Sequence, residues 1–158
     1  MRLTRFTDNA LRCLVVLGLE PEGTHTVAEV AARMQMSEEH LTKVVQRLAQ
    51  SGYVVTVRGR RGGVRLARPA GEIRVGAVVR DAEDDMSLVP CFDEPASCPI
   101  APACRLASAL DAALAAFLGV LDGMTLDDML SNRTQLVPLI ARPRARGAAA
   151  SAKAGRAR

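Results

Sequence analysis

Aromatic rings are scarce in this chain: of 158 residues none is Trp, one is Tyr and three are Phe. A core must therefore be assembled from Leu, Val, Ala and Met, a mixture that leans helical. Histidine is almost missing as well, with only His25 and His40, and no grouping of acid, base and nucleophile suggests a catalytic site, so no enzyme is expected. The four cysteines include no Cys-x-x-Cys pair, the usual ligand pattern of a structural zinc site. No apolar run approaches bilayer-spanning length. The N-terminal run "CLVVLGL" is short, follows Asp8 and Arg12, and leads into no small-residue cleavage site, so a secretory signal is not expected either. The chain reads as cytoplasmic, where a dense cysteine group points to metal or redox chemistry rather than structural disulfides.

Charge is unevenly placed. Residues 1–80 carry thirteen Lys/Arg against seven Asp/Glu, residues 81–141 carry two against ten, and residues 142–158 carry six basic residues and no acid. A basic first half beside an acidic second half suggests that only the first faces a polyanion.

Hydrophobic spacing sets out the elements. A helix from about Thr7 carries Leu11, Leu14, Val15 and Leu19 at helical intervals, and "PEGTH" ends it. Thr26 followed by Glu29 forms a capping box for a short helix with Val27, Val30, Ala31 and Met34 on one face. Ser37 caps the next, with Glu38 and Glu39 in its first turn, where the helix dipole favours negative charge. There Leu41, Val44, Val45 and Leu48 point inward, leaving His40, Thr42, Lys43, Gln46 and Arg47 outward. "YVVTV" and "VRLAR", joined by "RGRRGG", read as a β-hairpin. A short helix over "IRVGAVVRDAE" leads to a cysteine-bearing loop. A long helix from Cys104 to about Leu121 follows, with Leu106, Leu110, Ala113, Leu114, Phe117, Leu118 and Leu121 along one stripe. Thr125 and Asp128 cap one more short helix. The tail beyond Pro143 is basic, low in complexity and expected to be disordered.

The expected fold is mainly α with a small β-hairpin: a winged helix-turn-helix over residues 1–80, a cysteine loop and dimerisation helix over 81–135, and a basic tail over 136–158. The outward face of residues 37–50 suits a DNA major groove. The hairpin segment "RGRRGGVRLAR" has five arginines and no acid, and its glycines permit close approach to a sugar-phosphate backbone. Thr42, Lys43, Gln46 and Arg47 are the candidate reading residues, with Arg60, Arg61 and Arg65 on phosphates or the minor groove. The broad apolar stripe of the long helix calls for a partner, and a second copy is the simplest. Such a dimer would suit a palindromic site on double-stranded DNA. A core helix of a monomer is the alternative.

Cys91, Cys98 and Cys104 are separated by six and then five residues, with three prolines between them. That wide, stiffened spacing suits a cluster better than a single ion, since thiolate is the usual ligand of iron–sulfur centres; zinc and free thiols remain open. A four-ligand set would lack one member. Cys13, among the apolar residues of the first helix, reads as a buried free thiol.

Together the start "MRLTRFTDNALRCL", the segment "VAEVAARMQMSEEHLTKVVQRLAQSGYV", the wing "RGRRGGVRLARP" and the cysteine trio resemble the IscR and NsrR family of winged-helix transcription factors, over about residues 1–135. The resemblance implies a homodimeric repressor with one iron–sulfur cluster per subunit on Cys91, Cys98 and Cys104, [4Fe–4S] rather than [2Fe–2S]. It further implies Asp8 of the partner subunit as fourth ligand. As a harder donor, a carboxylate leaves one iron open to attack. Nitric oxide is the implied signal, with release of DNA on nitrosylation. Ala107 stands where IscR-like members carry a histidine ligand, and the six-residue first gap is not the commonest five. An iron- or redox-responsive regulator using the same cluster is the alternative; an electron-transfer protein would leave the arginine-rich wing without a purpose.

Overall fold

The computed structural model describes residues 2–59 and 62–140. The expected tail beyond residue 140 and the wing arginines Arg60 and Arg61 lie outside them. The first helix, α1 (Arg5–Leu19), starts earlier than its apolar spacing suggests, because the Thr4 hydroxyl accepts from the Thr7 amide and caps it. From Cys13 to Leu19 it is buried all round, as befits a helix packed by α2 (Val27–Met34), α3 (Glu38–Gln50) and elements on its other sides.

Between α2 and α3 the chain turns within three residues. Gln35 takes a left-handed conformation with φ 55° and closes the end of α2, while the Met36 amide donates to the Ala31 carbonyl at 2.9 Å. Ser37 then caps α3 through the His40 amide. The capping box on α2 is formed in both directions, Glu29 N–H to Thr26 Oγ1 and Thr26 N–H to Glu29 Oε2. Leu41, Val44, Val45 and Leu48 are buried, at about 1.5–3 kcal/mol for each fully buried aliphatic side chain. Gly52, with φ 72°, lets the chain leave α3.

The wing is an antiparallel pair, β1 (Val54–Val57) and β2 (Gly63–Leu66), in register from Val54 opposite Leu66 to Val57 opposite Gly63. Its inner strand is also bonded to the α1–α2 connection: His25 N–H donates to Val64 O at 3.0 Å and Val64 N–H to His25 O at 2.8 Å. This bridge was not expected from sequence, since it joins residues 39 positions apart.

Next come α4 (Val75–Ala82), a segment of short 3-10 turns carrying the cysteines, and α5 (Arg105–Asp122). Arg80 of α4 holds Asp122 of α5 through two hydrogen bonds of 2.6 Å. The chain then returns to the first body. In α6 (Leu126–Met129), Leu126 is buried, and just beyond it Leu130 joins the same core. α7 (Arg133–Ile140) carries the helix past residue 136, where the tail was expected to begin, because Leu136 packs on the core and Ile140 is buried in it. Arg133 donates to the Gly18 and Leu19 carbonyls, capping the open end of α1. The architecture is a mainly helical winged helix-turn-helix followed by a long helix.

Candidate functional site

Two constellations face away from the core. The first is the outer side of α3 and the wing. Thr42, Lys43, Gln46 and Arg47 are all exposed on α3. The Thr42 hydroxyl donates back to the Glu38 carbonyl at 2.9 Å, which leaves its oxygen to accept. Lys43 makes only a loose pair with Glu39 at 3.6 Å, both side chains largely exposed. Arg65 is exposed on β2. Spacing arguments on α3 alone passed over the contribution of α1. Arg5, Asn9 and Arg12, at positions i, i+4 and i+7 of that helix, line a cleft of about 360 Å³ together with His40 and Lys43. Their helical interval was the available signal.

Arg47 is placed differently from its neighbours. Its Nε–H donates to the Asp81 carbonyl at 2.9 Å and its Nη2 to Asp84 Oδ1 at 2.9 Å. Tyr53 reaches the same segment, its hydroxyl donating to Asp81 Oδ2 at 2.6 Å. Burial and the Asp81 carboxylate both push the Tyr53 phenol upward, so it stays a donor. The Arg68 guanidinium covers the ring, 4.8 Å from its centre.

The second constellation is the cysteine segment. Cys91 sits in a 3-10 turn (Pro90–Phe92) and Cys98 just before the turn Ala101–Ala103. Cys104 is the N-cap of α5, its Sγ accepting from the Ala107 amide at 3.4 Å. The sulfur thereby takes up one of the backbone N–H groups left open at the start of the helix. All three are half-buried free cysteines. The structure puts them on one segment, but among the described residues no group of three or more His, Cys, Asp or Glu converges on a metal position. Cys13 is fully buried, and loss of solvent pushes its thiol up to about 12, so it is neutral and unavailable as a ligand. Asp8 lies in the first turn of α1, half-exposed, its carboxylate 3.1 Å from Arg12.

The donor set is chemically suited to an iron–sulfur centre: three soft, accessible sulfurs, one at a helix N-terminus, and no competing buried thiolate. α5, which begins just after the last of them, has no residue buried within this chain; Leu106 and Val120 are about two-thirds exposed, at 66% and 68%. No helix among the described residues is long and apolar enough to cross a membrane.

Comparison with known proteins agrees with this layout. The HTH-type transcriptional regulator NsrR of Geobacillus kaustophilus (strain HTA426) is 47% identical over 142 residues, covering 89% of this chain and 97% of its own. That of Bacillus subtilis (strain 168) is 43% identical over the same coverage. Among solved structures, T. potens IscR superposes with a TM-score of 0.67 at 24% identity, covering 86% of this chain and 90% of its own. CymR, the global cysteine regulator of B. subtilis, gives 0.60 at 24% identity, over 84% and 98%. Both share the fold. The Rrf2 family, described as iron-dependent transcriptional regulators, matches residues 3–132. The chain therefore belongs to the Rrf2 family, and it is a DNA-binding transcriptional regulator rather than an enzyme.

Proposed function

We propose that this regulator is a homodimeric repressor that holds an iron–sulfur cluster on Cys91, Cys98 and Cys104, with Asp8 of the partner subunit as fourth ligand, and releases DNA in response to nitric oxide. The observation that carries the reading is the run of three half-buried free thiols on the one segment between α4 and α5, the last of them capping α5. That position joins the DNA-facing body to the helix whose apolar stripe a second copy would cover. A cluster bound there supplies iron with affinity for nitric oxide. Both [4Fe–4S] and [2Fe–2S] centres take four protein ligands, and the family resemblance is what favours [4Fe–4S].

The chain's own residues do the rest. The Ala107 amide, donating to Sγ, fixes the direction of the Cys104 side chain. Among the described residues the half-exposed Asp8 carboxylate is paired only with Arg12, which leaves it free to turn toward a second subunit. Being a weaker donor to iron than sulfur, it makes one corner of the site the first to yield. On DNA, Lys43 and Gln46 read the major groove, assisted by Thr42. Arg65, with Arg60 and Arg61, meets phosphates or the minor groove. The likeness of the chain to NsrR regulators is what motivates nitric oxide as the signal.

Anaerobic purification should give a brown protein with iron and sulfide in equal amounts. Nitric oxide should bleach it and release DNA together, and Asp8→Ala should accelerate both. DNA affinity that ignores complete nitrosylation would refute sensing. The family's description as iron-dependent favours one second reading, a regulator of iron supply. It is separated by comparing release by nitric oxide with release by a chelator at equal cluster loss.

A further inference from the structure

We propose that Arg47 is a positioning residue, not a DNA contact: with Asp81 and Asp84 it forms a latch between the reading helix and the acidic segment that leads to the cysteines. The inference rests on the reading above for its signal, but not for its geometry.

The carboxylates of Asp81, Glu83 and Asp84 each hold a different part of the molecule. Asp81 lies in the last turn of α4, where a carbonyl has no partner further along the helix; Arg47 Nε–H supplies one. The Asp81 carboxylate takes the Tyr53 hydroxyl at the foot of the wing. Glu83 Oε1 accepts the backbone N–H of Thr4 at 2.7 Å, at the cap of the helix that bears Asp8. Asp84 takes the Arg47 Nη2. Cys91 follows Asp84 by seven positions.

The bond geometry decides between the two roles for Arg47. A planar guanidinium engages a carbonyl and a carboxylate at once and in fixed directions, which Lys cannot copy. Two of its donors are already used at 2.9 Å. Among the described residues Lys43 has only its 3.6 Å pair with Glu39, and no bond holds the Gln46 side chain. A phosphate at Arg47 would have to share the guanidinium with the latch, and the acidic residues Glu83, Asp84 and Asp85, which repel a polyanion, line the same cleft of about 510 Å³ as Lys43 and Gln46. Asp84 is 93% exposed, so the pair is weak by itself. It is suited to shift with the segment that carries the thiols rather than to hold the fold together.

The experiment uses the full-length cluster-loaded protein and a duplex selected from a random pool by the native protein. Asp84→Asn should weaken binding about two- to fivefold, although it removes a negative charge beside a polyanion, and Asp84→Glu should restore it. Arg47→Gln should weaken binding to a similar degree with an unchanged salt slope, and the two changes together should cost no more than either. In Asp84→Asn the ratio of affinities before and after nitric oxide should narrow, with iron content, visible absorption and thermal midpoint as native. Tighter or unchanged binding by Asp84→Asn, or a salt slope lowered by about one in Arg47→Gln, overturns the proposal. A native protein whose affinity ignores nitric oxide refutes the sensing reading instead, leaving the latch to be judged on the affinities and slopes.

Discussion

Replacing Gly63 with Ala tests whether the wing is held to the body by the His25 bridge. A Cβ on Gly63 would lie 2.6 Å from the His25 carbonyl oxygen, 2.8 Å from its carbon and 3.1 Å from its nitrogen. All three are backbone atoms, so no side-chain rotation relieves the clash. Overpacking of that kind costs about 1–3 kcal/mol. Separating the strands by enough to admit the methyl also weakens the two bridge bonds of 3.0 and 2.8 Å, each worth about 1 kcal/mol. Together the expected loss is about 2–4 kcal/mol, a fall in thermal midpoint of about 4–16 °C at fixed protein concentration. Should the wing detach locally instead, the midpoint moves less and hydrogen exchange at the Val64 amide rises by about 30- to 900-fold for the same free energy. Either way, affinity for DNA falls, because Arg65 no longer has a fixed direction. Gly71→Ala is the control, since a Cβ there meets nothing within 4 Å. A Gly63→Ala protein with native midpoint, native exchange at Val64 and native DNA affinity would refute the reasoning.

Three further outcomes are expected. In cluster-free native protein a thiol reagent at pH 8 should label three cysteines and leave Cys13 untouched until the chain unfolds, because its thiol sits near 12; mass spectrometry of the labelled peptides checks this. Leu106→Asp should turn the proposed dimer into monomer in sedimentation analysis, weakening association by about 100-fold or more, and a variant that stays dimeric would remove α5 from the interface. Backbone N–H groups of Thr26 and Thr125 hold the Glu29 and Asp128 carboxyls below their usual values of 4.5 and 3.8. Their contribution to stability is therefore complete above those values and is lost as pH falls through the lower, folded-state ones. Glu29→Gln with Asp128→Asn should flatten the fall of the thermal midpoint below about pH 4.

The elements with a local signature were legible in the sequence. Ser37 and the apolar interval Leu41, Val44, Val45, Leu48 specify α3 without help from elsewhere, and both capping boxes announced their helices. The burial of Cys13 followed from its place among the apolar residues of α1. Features that depend on distant partners were not legible. Nothing near Arg47 says that its guanidinium meets Asp84, 37 positions on. Nor does anything near Arg133 show that it caps a helix 114 residues earlier. α7 was hidden for a related reason: Pro138 inside it and the basic run beyond mask the two core contacts of Leu136 and Ile140 that make it worth forming.

The exposed stripe of α5 also bears on how many molecules a cell must make. If α5 pairs with a second copy as proposed, a helix of eighteen residues with none buried in its own chain leaves each newly synthesised chain unfinished until it meets another. In the proposed dimer the pairing equilibrium then sits upstream of every operator. At low copy number, assembly rather than DNA affinity would then set how firmly a gene is held silent, and modest changes in expression of the regulator would be felt twice, once in pairing and once in occupancy.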